Sequence, residues 1–309
     1  MNWSFVSVVL LSLVPLSAPV FIAALGNMYC ERVGVLNLGA EGMMVSGAFF
    51  AVLGSHFLNN PWLGVLCGIC GGMLAGAVHG VICVEFGGIH AISGLGITML
   101  FNGITKFLCI SIFGSTFTPN VASLQTTDVL AKIPYIGNFF SGLSPLIYIA
   151  VVLTVLSQLF VFRTPYGIRI QALGDDPLTV ETAGINVWNM RFTGVLICGA
   201  FCGLAGAYMS LGQLDRFFDG MISGKGMLAV IAVKMGNWMP AGILGTALLL
   251  GLCDSIQFQL QINGVLRIPP EVLQMLPYIA GIVVLSMQRS ENTRPSALDT
   301  TYLRGKYKY

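Results

Sequence analysis

Charge is what this chain of 309 residues has least of: Asp, Glu, Lys and Arg together make up 9% of it, against about 25% in an ordinary soluble domain. Hydrophobic residues make up 55%, and the mean hydropathy is +0.82. That balance excludes a separate soluble domain and leaves a single transmembrane unit over residues 1–309. Phosphate-binding chemistry is missing too. No segment reads GxxxxGK[ST], so the chain has no backbone cradle for ATP phosphates, and Gly224-Lys225-Gly226 does not replace one. No HExxH helix occurs, and His56, His79 and His90 are scattered, which reads as isolated polar residues rather than zinc ligands. With no nucleophile–base or metal constellation, the chain is expected neither to be an enzyme nor to bind a cofactor. A net charge of +2 reflects topology and points to no nucleic-acid partner.

Long apolar stretches fill the space that charge leaves. Phe5–Gly26, Trp62–Val84, Gly88–Thr105, Ser144–Phe162 and Phe192–Gly212 carry essentially no charge and approach or exceed the ~18 residues of a spanning helix. Leu38–Leu58, Gly224–Gly236, Pro240–Gln261 and Val272–Gln288 are shorter or singly charged. The expectation is an all-α polytopic bundle of about nine spans, within a range of roughly eight to ten. Leu16-Ser17-Ala18 loosely resembles a signal cleavage site, but no Lys or Arg precedes the apolar stretch, so a retained first helix fits better.

Basic residues in short loops stay on the cytoplasmic side. With the C-terminus inside, Arg32, Arg163, Arg169, Arg191, Lys234, Arg289, Arg294, Arg304, Lys306 and Lys308 fall on that side. Lys106, Lys132, Arg216, Lys225 and Arg267 fall outside or near the outer ends. The polar segment Arg163–Arg191 also holds Arg169, Asp175, Asp176 and Glu181, and such a cluster cannot sit unpaired in hydrocarbon. It is expected as a cytoplasmic docking loop over residues 163–191, with residues 289–309 as a cytoplasmic tail.

Seven of the eight cysteines, Cys67, Cys70, Cys83, Cys109, Cys198, Cys202 and Cys253, lie inside expected spans or, for Cys109, just past the end of one, and read as small packing residues. Cys67-Gly-Ile-Cys70 has redox spacing without the strand-to-helix context that gives it meaning. Gly64, Gly68, Gly72, Gly76 and Gly80 recur every four residues, a stripe that lets another helix approach closely in lipid. Gly199, Gly203 and Gly206 form a similar surface. Glu41-Gly42-Met43 and Lys225-Gly226-Met227 each precede an apolar run and a proline, which fits either an inverted duplication or chance similarity of Gly-rich segments. The outer connection Phe113–Leu143, with Thr126-Thr127-Asp128 and Lys132-Ile-Pro134, suits either a landing surface for a delivery protein or a structured loop without a partner.

Few charges enter the spans: Glu41 and Asp254, with Lys225 and Lys234 near span ends. Glu41 opens a helix, where a carboxylate meets free amides; that structural role and a substrate contact both stand. Thr98, Asn102, Gln257, Gln261 and Ser210 offer uncharged polar groups that suit a neutral polar solute. Phe49, Phe50, Phe101 and Tyr208 could stack on a sugar or base, or pack as core.

At this point a resemblance covers nearly the whole chain. Glu31-Arg32-Val33-Gly34-Val35-Leu36-Asn37-Leu38-Gly39-Ala40-Glu41-Gly42-Met43-Met44 resembles the signature of permease subunits of ABC importers of the ribose and branched-chain amino acid class, nearest the nucleoside and simple-sugar subgroup. Ile92-Ser93-Gly94-Leu95 through Asn102, Tyr166-Gly167 through Gly184-Ile185-Asn186-Val187, and Gly224-Lys225-Gly226-Met227 through Pro240 match in the same order. The resemblance implies a coupling helix at Gly174-Asp175-Asp176-Pro177 through Ala183-Gly184-Ile185, with Arg169 beside it, fitting a groove of a separate ATPase. Gln171 stands where relatives have a basic residue, and Val180-Glu181-Thr182 replaces a small-residue run.

The same resemblance implies alternating access in a bacterial inner membrane. An extracytoplasmic binding protein delivers the solute, and the partner ATPase uses ATP and Mg. A second, different permease supplies the other half of the channel, and lipid surrounds the spans. The solute is expected to be a nucleoside or related ribose-containing molecule, with Asn37, Glu41, Thr98, Phe101, Asn102 and Gln257 along its pathway. A sugar or branched-chain amino acid permease of the same superfamily is one rival. A proton- or ion-coupled carrier using Glu41 or Asp254 is the other.

Overall fold

The computed structural model describes residues 3–125, 142–263, 269–287 and 294–302. Thr126-Thr127-Asp128, Lys132-Ile-Pro134 and most of the tail 289–309 lie outside them. The regular elements among the described residues are all helical: α1 (Trp3–Arg32), α2 (Ala40–Leu58), α3 (Pro61–Gly80), α4 (His90–Phe113), α5 (Pro145–Arg163), α6 (Pro165–Asp175), α7 (Pro177–Thr182), α8 (Val187–Ala207), α9 (Lys225–Met235), α10 (Pro240–Asn263), α11 (Pro270–Leu273) and α12 (Leu276–Met287). Helices α3 and α8 each run on into a wider π turn, Val81–Glu85 and Tyr208–Gln213.

Seven helices are long and apolar enough to cross a membrane, and Glu271–Met287 is a shorter apolar one. The expected span at Gly224–Gly236 is a half-length element: α9 has 11 residues, a rise of only ~16 Å against a hydrocarbon core of ~30 Å.

Local chemistry explains the breaks. Asn60 caps α3 by accepting from the amides of Trp62 and Leu63, with Pro61 in the first turn, where a missing N–H is harmless. Inside α1, Pro19 has no N–H to give the carbonyl of Pro15 four residues back. That oxygen instead accepts from the Tyr208 hydroxyl at 3.1 Å and from Gln213 Nε2 at 2.7 Å, tying α1 to the π turn that follows α8.

Packing repeats itself. Helix α3 lies on α8 as α10 lies on α1, α2 lies on α8 as α9 lies on α1, and α4 touches α2 and α3 as α12 touches α9 and α10. Exchanging α1 with α8, α2 with α9, α3 with α10 and α4 with α12 therefore maps the bundle onto itself. Helices α1 and α8 are antiparallel, since Gly194 meets Tyr29 and Val33, Cys198 meets Asn27, and Tyr208 meets Pro15. The repeat is thus inverted, as Glu41-Gly42-Met43 and Lys225-Gly226-Met227 suggest.

Small residues set the spacing at its centre. A Cβ on Gly72 would lie 2.3 Å from the Gly199 carbonyl oxygen, one on Gly68 2.8 Å from Gly47 O, and one on Gly76 3.1 Å from Val195 O. Gly64 meets Ala51 and Leu211, and Gly80 meets the Phe192 ring. Where lipid removes the hydrophobic drive, this backbone-to-backbone approach is what holds helices together.

Candidate functional site

The polar segment folds as three helical pieces separated by capping residues. Thr164 accepts from the Gly167 amide at 3.1 Å and opens α6, with Pro165 next in chain. Asp176 accepts from the Leu178 amide at 3.0 Å and opens α7, with Pro177 next in chain. Asn186 accepts from the Asn189 amide at 3.1 Å and opens α8. Each Thr, Asp or Asn satisfies a free amide that the previous helix cannot. The Thr179 hydroxyl also donates to Asp176, and that bond holds the carboxyl below the usual aspartate range.

The expected coupling residues separate into buried and exposed sets. Arg169, Asp175, Asp176, Ala183 and Gly184 are exposed; Gly174 and Pro177 are buried. Gly184 takes φ +79° with open space around its α-carbon, and its amide bonds to Glu181 O at 2.9 Å while that of Ile185 bonds to Val180 O at 3.3 Å. A left-handed glycine thus stops α7. Gly174 is needed for contact, since a Cβ there would lie 2.3 Å from the Arg32 carbonyl oxygen at the end of α1. Arg191, counted with the exposed charges in the sequence, is 2% exposed. A groove of about 460 Å³ runs beside the segment, lined by Glu85, Glu181, Gly184, Asn186, Trp188 and Tyr302 among others.

The second centre is the seam between the repeats. The Gly224 amide donates to Glu41 Oε1 at 3.0 Å, and a Cβ on Gly226 would lie 2.4 Å from Glu41 Cα. Lys225 Nζ stands 4.0 Å from Asp254 Oδ2, with the side chains 15% and 16% exposed. These two line a cavity of about 270 Å³ together with Leu16, Gln257, Phe258 and Tyr278. Leu16 lies near the middle of the 30-residue α1, so the cavity is roughly half-way through the bundle.

Among the expected pathway residues, Gln257 lines this cavity and Glu41 adjoins it through Gly224. The other four lie elsewhere. Asn37 is fully buried, accepting from the Gly39 amide at 2.8 Å and donating to Cys198 Sγ at 3.2 Å. Thr98 and Asn102 donate to their own helix, to Gly94 O and Thr98 O. Phe101 is 2% exposed in the core.

Two features go beyond what the sequence predicts. Glu31 is a fully buried acid whose Oε2 accepts from the Trp238 indole N–H at 2.7 Å and whose Oε1 accepts from Asn27 at 3.3 Å. The sequence does carry a signal for it: an acid in the last turn of an apolar helix, with a Trp in the later repeat. The second is the segment Pro295–Tyr302, which returns to the polar loop; nothing in its composition foretells that. Among the described residues, no group of three or more His, Cys, Asp or Glu is placed to hold a metal.

Glycine-packed inverted repeats, a polar cavity at their seam and a charged, capped loop at one end define a multi-pass membrane transport subunit. The chain belongs to the family described as branched-chain amino acid transport system / permease component, which matches residues 9–285. It is 35% identical over 302 residues to the guanosine ABC transporter permease protein NupQ of Bacillus subtilis, covering 94% of each chain. It is 31% identical over 301 residues to the nucleoside ABC transporter permease protein NupC of Lactococcus lactis, covering 94% of this chain and 95% of that one. It is 33% identical over 325 residues to the putative glucose ABC transporter permease protein TsgC13 of Haloferax volcanii, covering 97% and 99%. No solved structure matches.

Proposed function

We propose that this chain is the membrane-spanning subunit of an ATP-driven importer of nucleosides, resident in a bacterial inner membrane and working by alternating access. The observation that carries the proposal is the capped, charged segment Pro165–Thr182 gripped at Gly174 by the end of α1. A stiff element of that kind can receive a push and pass it to a spanning helix. On this proposal a separate ATPase, using ATP and Mg, docks against Arg169, Asp175, Asp176, Ala183 and Gly184. The loop and the C-terminus are then cytoplasmic. A second permease chain completes the channel, and an extracytoplasmic binding protein delivers the solute.

The cavity at the seam supports the solute class. Lys225 and Asp254 neutralise each other, so the lining asks for no net charge on the solute. Gln257 and Tyr278 supply hydrogen bonds, while Leu16 and Phe258 supply apolar faces, a mixture that suits a base and a ribose. The relatives named for guanosine and nucleoside transport support the same solute class.

A self-sufficient ion-coupled carrier is less well supported, because Asp254 already faces Lys225 and Glu41 already accepts from Gly224. The test is uptake by the reconstituted complex, with its ATPase and binding protein, of tritiated guanosine, adenosine, ribose, glucose and leucine. ATP-dependent uptake of the nucleosides is expected. Uptake that persists without the ATPase would replace the importer with the carrier.

A further inference from the structure

We propose that the segment Pro295–Tyr302 is a transmission strap that carries motion of the polar loop to the hinge between α1 and α2, so that solute movement and ATP hydrolysis stay linked. This rests on the importer function proposed above.

The strap is sewn to the loop along one side. The Ala297 amide donates to Gly174 O at 2.8 Å, Pro295 packs against Gly174, and the Tyr302 hydroxyl donates to the Glu181 carboxylate at the end of α7. On the other side it meets the spans. The Asp299 amide donates to Gly34 O at 3.1 Å, and the Asp299 carboxylate lies 3.4 Å from His90 Nδ1 at the start of α4, a nitrogen that accepts from the Leu36 amide of the α1–α2 connection at 3.4 Å. Arg191, at the start of α8, donates to Thr300 O at 2.8 Å and lies over the Tyr302 ring at 5.7 Å. Ala297, Leu298 and Tyr302 are buried, so the segment is packed in rather than draped over the surface.

Gly34 is the point of transfer. Its φ of +87° suits glycine alone, and a Cβ there would lie 2.9 Å from Arg191 Nη2 and 3.0 Å from Ala297 O. Seven residues later comes Glu41, which holds Gly224 at the seam. The strap also borders a separate cavity of about 270 Å³, lined by Leu36, Lys234, Trp238, Arg294, Leu298 and Asp299 among others. The strap therefore joins the groove beside the polar loop, through Tyr302, to the cavity lined by Leu36 and Lys234, through Leu298 and Asp299.

The strap residues are positioning residues, and a structural role alone would not change the ratio of solute moved to ATP consumed. In proteoliposomes holding the full complex, the double variant D299N/Y302F is expected to keep ATP hydrolysis stimulated by the binding protein, while guanosine uptake per ATP falls on the order of ten-fold. An unchanged ratio would overturn the proposal. If the double variant does not assemble, Y302F alone, which removes only the hydroxyl at Glu181, is measured in the same way: a lowered ratio supports the strap and an unchanged one overturns it. The unaltered complex is the control for the importer function itself. Absence of ATP-driven uptake there refutes the importer, whereas normal uptake with an unchanged ratio in the variant refutes only the strap.

Discussion

The amide of Gly224 donates to the carboxylate of Glu41 at 3.0 Å, joining the start of α9 to the start of α2 across the inverted repeat. One carboxylate thus satisfies a free helix-start amide of the other repeat and fixes where the two halves touch. Because the bond needs an acceptor and not a charge, Glu41→Gln should leave uptake within about two-fold, while Glu41→Leu loses a hydrogen bond of ~1 kcal/mol and the seam with it. Uptake assays on both variants check this. Abolition by Gln as well as Leu would point to a proton carried on Glu41.

Lys225 of α9 and Asp254 of α10 form an ion pair within the later repeat, beside the seam. Lys225→Met strands a largely buried carboxylate and should destabilise the protein by on the order of 2 kcal/mol, while the double variant with Asp254→Leu should recover most of that loss. Thermal unfolding in detergent measures both. Equal stability of the single and double variants would show that the two groups do not interact.

Gly72 and Gly96 make a matched pair. A Cβ at Gly72 meets the Gly199 carbonyl oxygen at 2.3 Å, whereas one at Gly96 meets nothing within 4 Å. Gly72→Ala should force α3 from α8 and cost ~1–3 kcal/mol; Gly96→Ala should be neutral or slightly stabilising. Melting temperatures in the same detergent distinguish them.

The cap of α7 has a definite pH behaviour. The Thr179 hydrogen bond holds the Asp176 carboxyl below its ordinary value, which is about 3.9. A group with a lowered folded value contributes stability above its unfolded value and loses it as pH falls through the folded one. ATPase stimulation should therefore be insensitive to Asp176 from neutral pH down to about 4. Asp176→Asn, which still caps, should keep stimulation, and Asp176→Leu should weaken it.

Much of this architecture is legible in the residues because lipid imposes simple rules. Uncharged runs have to be helices, and a glycine every fourth residue has to face another backbone, so the contact of Gly64, Gly68, Gly72, Gly76 and Gly80 with neighbouring helices follows the stripe. The likeness of Glu41-Gly42-Met43 to Lys225-Gly226-Met227 carries the pseudo-symmetry. The half-length of α9 is already visible in the shortness of the run Gly224–Gly236; what the sequence does not show is that Asn237 and Trp238 turn the chain back at its end. Arg191 reads as a surface charge until the strap that surrounds it is known. Thr98, Asn102 and Asn37 read in the sequence as free polar groups, whereas each also bonds to nearby backbone, Thr98 and Asn102 on their own helix and Asn37 at the Gly39 amide, and no spacing rule distinguishes such a local bond from a solute contact.

The side of the membrane on which the polar loop lies tests the central claim most directly. An impermeant maleimide applied to a variant lacking reactive cysteines but carrying Ala183→Cys, at the exposed end of α7, should label inside-out vesicles and leave intact cells unlabelled. Labelling from outside intact cells would place the loop out of reach of any ATPase and contradict the claim.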